Sequence, residues 1–330
     1  MRSFSLGASV LVLSAALVGC GESGSSGSSG STTSPGSAAK CQTVKGDELV
    51  VLQDDKSLQT VDNIIPAVYQ KASTPALIAA VDKVGGALDT PTLIGLNEQV
   101  DVERKTPANV AQAFVSDNNL TAGLSGGSGD IQVGAADFGE SKILANAYAQ
   151  VLNAAGFTAT VKNVGNRELY LKSLSKGDID VMPEYAGTLT EFLNKQQNGS
   201  DAPPKASGDL APTVTALKDL GGKANLTFGA ASQAADQNAF AVTKAYADAN
   251  GLKTLSDLAS KCSGGALVLG GPPECQERPF CKPGLEQTYG LTFSGFQSLD
   301  AGGPLTKTAL KQGKVNVGLV FSSDGGLSSG

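Results

Sequence analysis

GDIDVMPEYAGT, residues 177–188, is the stretch whose reading decides the fold. An apolar-periodic run (Leu169, Leu171, Leu174) leads into Gly177; Ile179, Val181 and Met182 then make a short buried strand, which Pro183 is expected to stop. Glu184, Tyr185 and Thr188 thereby arrive at the strand's carboxyl end, where open α/β sheets bind their ligands. Tyr185 brings a π face and a hydroxyl, and Gly187 allows close backbone approach to whatever sits there. Taken alone, the stretch reads equally well as a core strand followed by a surface turn.

A weaker echo near the other end of the chain tilts the reading toward a site. Leu310, Gly313, Val315, Asn316 and Val317 repeat the spacing of Leu174, Gly177, Ile179, Asp180 and Val181, and Phe321 follows as Tyr185 does. Two βα lobes presenting aromatics to a shared cleft would have this pattern, although helix, Gly and strand recur in any α/β protein.

The amino end is of another kind. Arg2 precedes an apolar run over residues 6–18, too short to span a bilayer, which closes on LVGC at Cys20. That ending resembles a bacterial lipobox, which implies cleavage before Cys20 and acylation of its thiol, so residues 1–20 are expected to be a lipoprotein signal peptide. The following Gly/Ser-rich stretch, 21–43, can form no core and reads as a tether with a reach of about 25 Å. No later stretch is apolar enough to cross a membrane, so the body is expected to be exported and held at the outer face of the cell membrane by lipid.

Composition bounds what the body can do. With 41% apolar residues it can bury a substantial core, and a net charge of −6 without a long basic run excludes nucleic acid as a partner. The complete absence of histidine removes the usual general base and the common His-based metal sites, and no cofactor is expected. Four cysteines follow Cys20, and an even number in an exported protein favours two disulfides with three possible connectivities. Cys275 and Cys281 lie close together in GGPPECQERPFCKPG and are paired on that ground, which leaves Cys41 with Cys262. A four-cysteine zinc site is the alternative, but the spacing has no CxxC knuckle.

The body reads as α/β. Strands are expected over 48–53, 63–68, 131–135, 159–164, 226–230, 239–242, 267–269 and 315–321, and helices over 75–84, 90–99 with Thr90 as N-cap, 107–114, 138–155, 169–176 and 255–259. Residues 116–130, SDNNLTAGLSGGSGD, lack apolar periodicity and read as a linker in mid-chain.

Three stretches carry a family resemblance: IQVGAADFGESKILANAYAQVLNAAGF (131–157), VGNRELYLKSLSKGDIDVMPEYAGT (164–188) and LGGPPECQERPFCKPGLEQTYGL (269–291). They are similar to the substrate-binding proteins of ABC importers for glycine betaine, choline and related osmoprotectants, and the resemblance covers nearly everything from about residue 44. It implies a two-lobed periplasmic-binding (type II) α/β fold. The order departs from the family, whose usual members open with the IQVGAADF-like strand and close with a stretch similar to 48–115, including VVLQDDKSLQTVDNIIPAV and TPTLIGLNEQVDV. Here the closing stretch comes first, so the chain reads as circularly permuted, with the linker at 116–130 joining the old termini. On this reading one lobe is continuous, 91–232, and the other is assembled from 44–90 and 233–330.

The resemblance also implies a ligand set. A trimethylammonium group donates no hydrogen bonds and is held by aromatic faces, while a ligand carboxylate wants Arg, amides or hydroxyls. Carried over position by position, Tyr185 and Phe321 are box walls, Thr188 lies beside Tyr185, and Arg278 is the carboxylate partner. Asp62 in QTVDN and Asn238 in DQNAFAV stand where betaine binders of the family often have tyrosines, and Ala136 stands where many have Lys. Such a box should hold a quaternary amine less well and tolerate a net positive ligand better. Asp137 and Phe138, before the long helix, are further candidates, although Asp137 and Glu140 read first as helix caps. The expected function is capture of a quaternary amine and its delivery to permease and ATPase subunits, by hinge closure and without catalysis. A ligand-sensing or scavenging lipoprotein for another small cation or amino-acid derivative is the alternative.

Overall fold

The computed structural model describes residues 41–264 and 266–327. The Cys20 lipobox and all but the last residues of the 21–43 tether lie outside these.

The chain begins with β1 (Leu49–Leu52) and β2 (Ile64–Tyr69), followed by α1 (Pro75–Gly86), α2 (Thr90–Asp101) and α3 (Pro107–Asp117). A βα alternation comes next: β3 (Asp130–Ala136), α4 (Gly139–Ala155), β4 (Thr158–Gly165), α5 (Arg167–Lys176), β5 (Val181–Tyr185), α6 (Ala186–Asn198), α7 (Leu210–Lys223) and β6 (Leu226–Phe228). The remainder comprises β7 (Asn238–Thr243), α8 (Lys244–Asn250), α9 (Leu255–Cys262), β8 (Val268–Gly271), a 3₁₀ turn (Pro273–Gln276), α10 (Lys282–Tyr289), β9 (Gly295–Ser298), α11 (Pro304–Lys311) and β10 (Val317–Phe321).

Two mixed sheets result. One has the order β4-β3-β5-β2-β6 and the other β9-β8-β10-β7-β1, and in both the third strand is parallel to the second and antiparallel to the fourth. The sequence echo has a structural basis. Gly177 and Gly313 both end helices with positive φ, +84° and +67°. Asp180 and Asn316 then do the same work: each accepts a backbone N–H from the neighbouring parallel strand, Gln132 at 2.8 Å and Val268 at 2.8 Å, and each returns its own N–H to that residue's carbonyl. The two strands that follow end on Tyr185 and Phe321.

The sheets define a central lobe, running from β2 to β6, and a terminal lobe built from β1 and everything after β6. This moves the expected boundary. The sequence order places 63–90 in the discontinuous lobe, but Ile64 to Val68 pair in register with Tyr185 to Val181, and Leu77, Val81 and Val84 of α1 pack into the same core as Leu144 and Val151 of α4. Burial of five nearly solvent-free residues of β2, Ile64 to Val68, between β5 and β6 decides the matter, and the chain crosses between lobes near residues 60–63 and 232–237. These two crossings run side by side: Asn63 bridges Ala235, Asp236 donates its N–H to the Asp62 carbonyl at 3.1 Å, and Gln237 Nε2 donates to the Thr60 carbonyl at 2.6 Å. They form the hinge.

Three local expectations change. Pro183 does not end its strand but lies inside β5, opposite Pro66 of β2, and because β5 pairs with β3 only at Val181, no ladder bond is lost to it. Asp89, not Thr90, caps α2, accepting the Thr92 N–H. Phe138 occupies the N-cap of α4 without a side-chain cap, so neither Asp137 nor Glu140 caps that helix. Cys41 is bonded to Cys262 and Cys275 to Cys281, which leaves none of the four cysteines for zinc. Among the described residues no helix is long and apolar enough to cross a membrane, and no cluster of side chains has the make-up of a metal site.

Candidate functional site

A cavity of about 600 Å³ opens between the lobes at the hinge. All eight residues expected at the ligand, namely Tyr185, Thr188, Phe321, Arg278, Asn238, Asp62, Asp137 and Phe138, line it. Its aromatic wall is a row of three rings. Phe138 lies in the middle, 6.3 Å from Tyr185 and 5.7 Å from Phe321 between centroids, both at 35°. The paired strand ends place Tyr185 and Phe321, and the extended N-cap of α4 places Phe138 between them. Leu169, Phe192 and Phe280 add apolar surface.

Buried polar groups hold this wall in position. The Tyr185 hydroxyl donates to Glu140 Oε1 at 2.6 Å, while Glu140 Oε2 accepts from Asn97 Nδ2 at 2.6 Å and from Ser323 Oγ at 2.7 Å. Ser323 follows β10, so this network joins the lobes. Arg167 makes a bidentate pair with Glu184 (3.0 and 2.6 Å) and also donates to Thr188 Oγ1 at 3.0 Å, and Tyr170 donates to Glu184 at 2.6 Å. Burial opposes the charge on Arg167, but Glu184, Tyr170 and Asp62 together outweigh it and hold the guanidinium well above its ordinary range.

Asp62 and Asp236, each only 4% exposed, occupy the two hinge strands and line the cavity. Asp62 Oδ1 accepts the N–H groups of Gly187 (2.8 Å) and Thr188 (3.0 Å) and so closes the first turn of α6 from another segment. Asp236 Oδ1 accepts the Ser323 N–H at 3.0 Å. Burial raises Asp62 to about 7 against the opposing Thr188 N–H and the Arg167 charge. Burial and then the charge of Glu140 push Asp236 well above the carboxylate range, and burial raises Glu140 too.

Several expectations look different in place. Arg278 is not free to receive a ligand carboxylate: it reaches across the cleft and pairs with Glu168 of α5 at 3.0 and 2.9 Å, with Glu274 at 3.6 Å. Asn238 Nδ2 donates to the Phe280 carbonyl at 3.1 Å, and Asp137 is exposed and paired with Lys142 at 2.6 Å. The backbone that approaches Gly187 is the hinge, since a Cβ there would meet the Val61 carbonyl oxygen. Asp236, Arg167, Phe280 and Phe192 were not singled out from the sequence. Only Asp236 had a visible signal, the DQN directly before the strand that carries Asn238.

The geometry offers an aromatic face and buried carboxylates. Comparison with known proteins agrees in kind. Residues 38–117 and 129–329 match the substrate binding domain of ABC-type glycine betaine transport systems. The glycine betaine-binding protein YehZ of Escherichia coli K12 is 27% identical over 206 residues, 60% of this chain and 66% of its own. A glycine-betaine-binding protein of Pseudomonas aeruginosa is likewise 27% identical over 206 residues, 60% of this chain and 63% of its own. The chain therefore spans just under two thirds of the length of these curated relatives. Among solved structures, apo YehZ from Escherichia coli aligns at 26% identity with a TM-score of 0.38, covering 60% of this chain and 71% of that one. A glycine betaine/carnitine/choline ABC transporter structure aligns at 24% and 0.38, covering 60% and 70%. Since its match extends over most of the chain, the protein belongs to the family of substrate-binding domains of ABC-type glycine betaine transport systems, a family of binding proteins and not of enzymes.

Proposed function

We propose that this protein captures a small quaternary-ammonium solute in the inter-lobe cavity and delivers it to the permease and ATPase of an ABC importer. The observation that carries the reading is the row of rings from Tyr185 through Phe138 to Phe321 facing a cavity of about 600 Å³. A methylated ammonium against such faces gains about 0.5–2 kcal/mol per contact, more as water is excluded. Asp62, Thr188 and Asn238 flank the rings, Asp137 sits at the rim, and Arg278 with Glu168 bridges the lobes. Family membership and relatives named for glycine betaine support this reading.

Anchoring through an acylated Cys20 at the outer face of the cell membrane belongs to the same proposal, on the strength of LVGC and the tether that follows. So does circular permutation. The family match breaks at 118–128, within the Gly/Ser linker, and Leu327 packs into the same apolar cluster as Leu49 and Val51, so the proposed cut leaves neighbouring ends.

A thermal-shift panel of glycine betaine, choline, carnitine, ectoine, polyamines and amino acids tests the solute class. A ligand at about 100 times its dissociation constant stabilises the fold by about 2.7 kcal/mol. The expected result is a shift with at least one quaternary amine that Tyr185→Ala abolishes. Silence from every quaternary amine alongside a response to another solute would favour the scavenging or sensing alternative.

A further inference from the structure

Resting on the reading just given and going one step into it, we infer that the cleft selects a cationic ammonium solute without a carboxylate, such as choline, over a zwitterion such as glycine betaine. The two share one trimethylammonium head and differ at the other end, so the groups left over in the cavity decide between them.

Those groups are acceptors. Asp62 and Asp236 each spend Oδ1 on backbone N–H groups, and neither Oδ2 takes a hydrogen bond from any described residue. Asn166, also at the cavity wall, has a buried Oδ1 without a donor. A ligand carboxylate set among these would add an acceptor to acceptors and a negative charge to negative charges. A hydroxyl would donate to one of them, and the single positive charge of an ammonium would be attracted to the aspartates.

The cations that could have reversed this are already committed. Arg167 spends its guanidinium on Glu184 and Thr188, and Arg278 spends its own on Glu168 and Glu274. Freeing a buried pair such as Arg167 and Glu184 to serve a ligand leaves an uncompensated buried charge. Lys195 is the remaining cationic side chain at the wall, half-buried and without an ion pair among the described residues. It lies three turns into α6, away from the helix end where Asp62 sits. Burial opposes the charge on both aspartates, and a cation seated beside them offsets that penalty where a second carboxylate would add to it.

Placement gives the selection a mechanical side. Asp62 and Asp236 belong to the hinge strands themselves, so a cation held between them ties ligand charge to the closure of the lobes.

Titration calorimetry of the full chain with choline and with glycine betaine is the test. Choline should bind at least about tenfold more tightly. Asp62→Asn keeps an oxygen for the Gly187 and Thr188 amides, and it and Asp236→Asn should each remove most of the preference while leaving glycine betaine unchanged or improved. Lys195→Gln should leave both affinities as they were. Equal or tighter binding of glycine betaine in the wild-type protein would overturn the inference and leave the solute-capture reading intact, as would loss of glycine betaine binding in Lys195→Gln. If neither quaternary amine binds, the reading beneath it falls and the inference falls with it. Should an Asn variant fail to fold, the wild-type ratio alone decides.

Discussion

Asp62 concentrates the chemistry of the cleft in one side chain. It closes α6, belongs to the hinge and faces the cavity, and its carboxyl is raised to about 7 by burial, the Thr188 amide and the Arg167 charge opposing. Asp236, itself raised by burial and by Glu140, faces it across the hinge. A carboxyl whose folded value lies above its unfolded value of about 3.9 holds more protons in the native state than in the unfolded chain between those two limits. Stability of the ligand-free protein should therefore fall as pH rises from about 4 to about 7, by a few kcal/mol in total. Denaturant unfolding at a series of pH values checks this, and Asp62→Asn should flatten the curve. A ligand-free protein whose stability rises across that window would contradict the burial ascribed to these acids.

The start of α6 shows how an element is fixed by its neighbour. Gly187 lies so close to the hinge that a Cβ would strike the Val61 carbonyl oxygen, which as backbone cannot swing aside. Gly187→Ala should cost about 1–3 kcal/mol and weaken solute binding severalfold, because the amides that hold Asp62 must shift. Gly86→Ala, at an open helical position of α1, should be neutral or stabilising by about 0.5 kcal/mol. Thermal unfolding of both, with calorimetry on the first, separates the effects. Elements of this size were largely legible in the sequence: the long α4, the strands β3 and β5 and the paired Gly177 and Gly313 follow from period and punctuation. Pro183 misled because its strand has a full partner on one side only, which no local pattern records. The bidentate partner of Arg278 was equally out of reach, since Glu168 lies on the opposite lobe.

At the scale of the molecule, two lobes with one strand order are joined by two crossings, and the lobe to which β2 belongs was fixed by long-range pairing that its own sequence does not announce. The proposed permutation predicts that the ends are interchangeable. A chain opened within 118–128, with the segment after Leu327 joined through a short linker to Cys41 so that its bond to Cys262 is kept, should fold and bind the same solute with an affinity within about threefold of the original, because the core contacts are conserved and loop closure changes slowly with length. Calorimetry on that chain decides, and a soluble product unable to bind would count against the permutation. The Cys275–Cys281 bond closes a short ring that carries Arg278 and Phe280 to the cleft. If the chain is exported as proposed, maturation leaves a record in the molecule: chains kept in a reducing cytosol would carry that ring open, and those oxidised outside would hold Arg278 and Phe280 at the cleft with the ring closed.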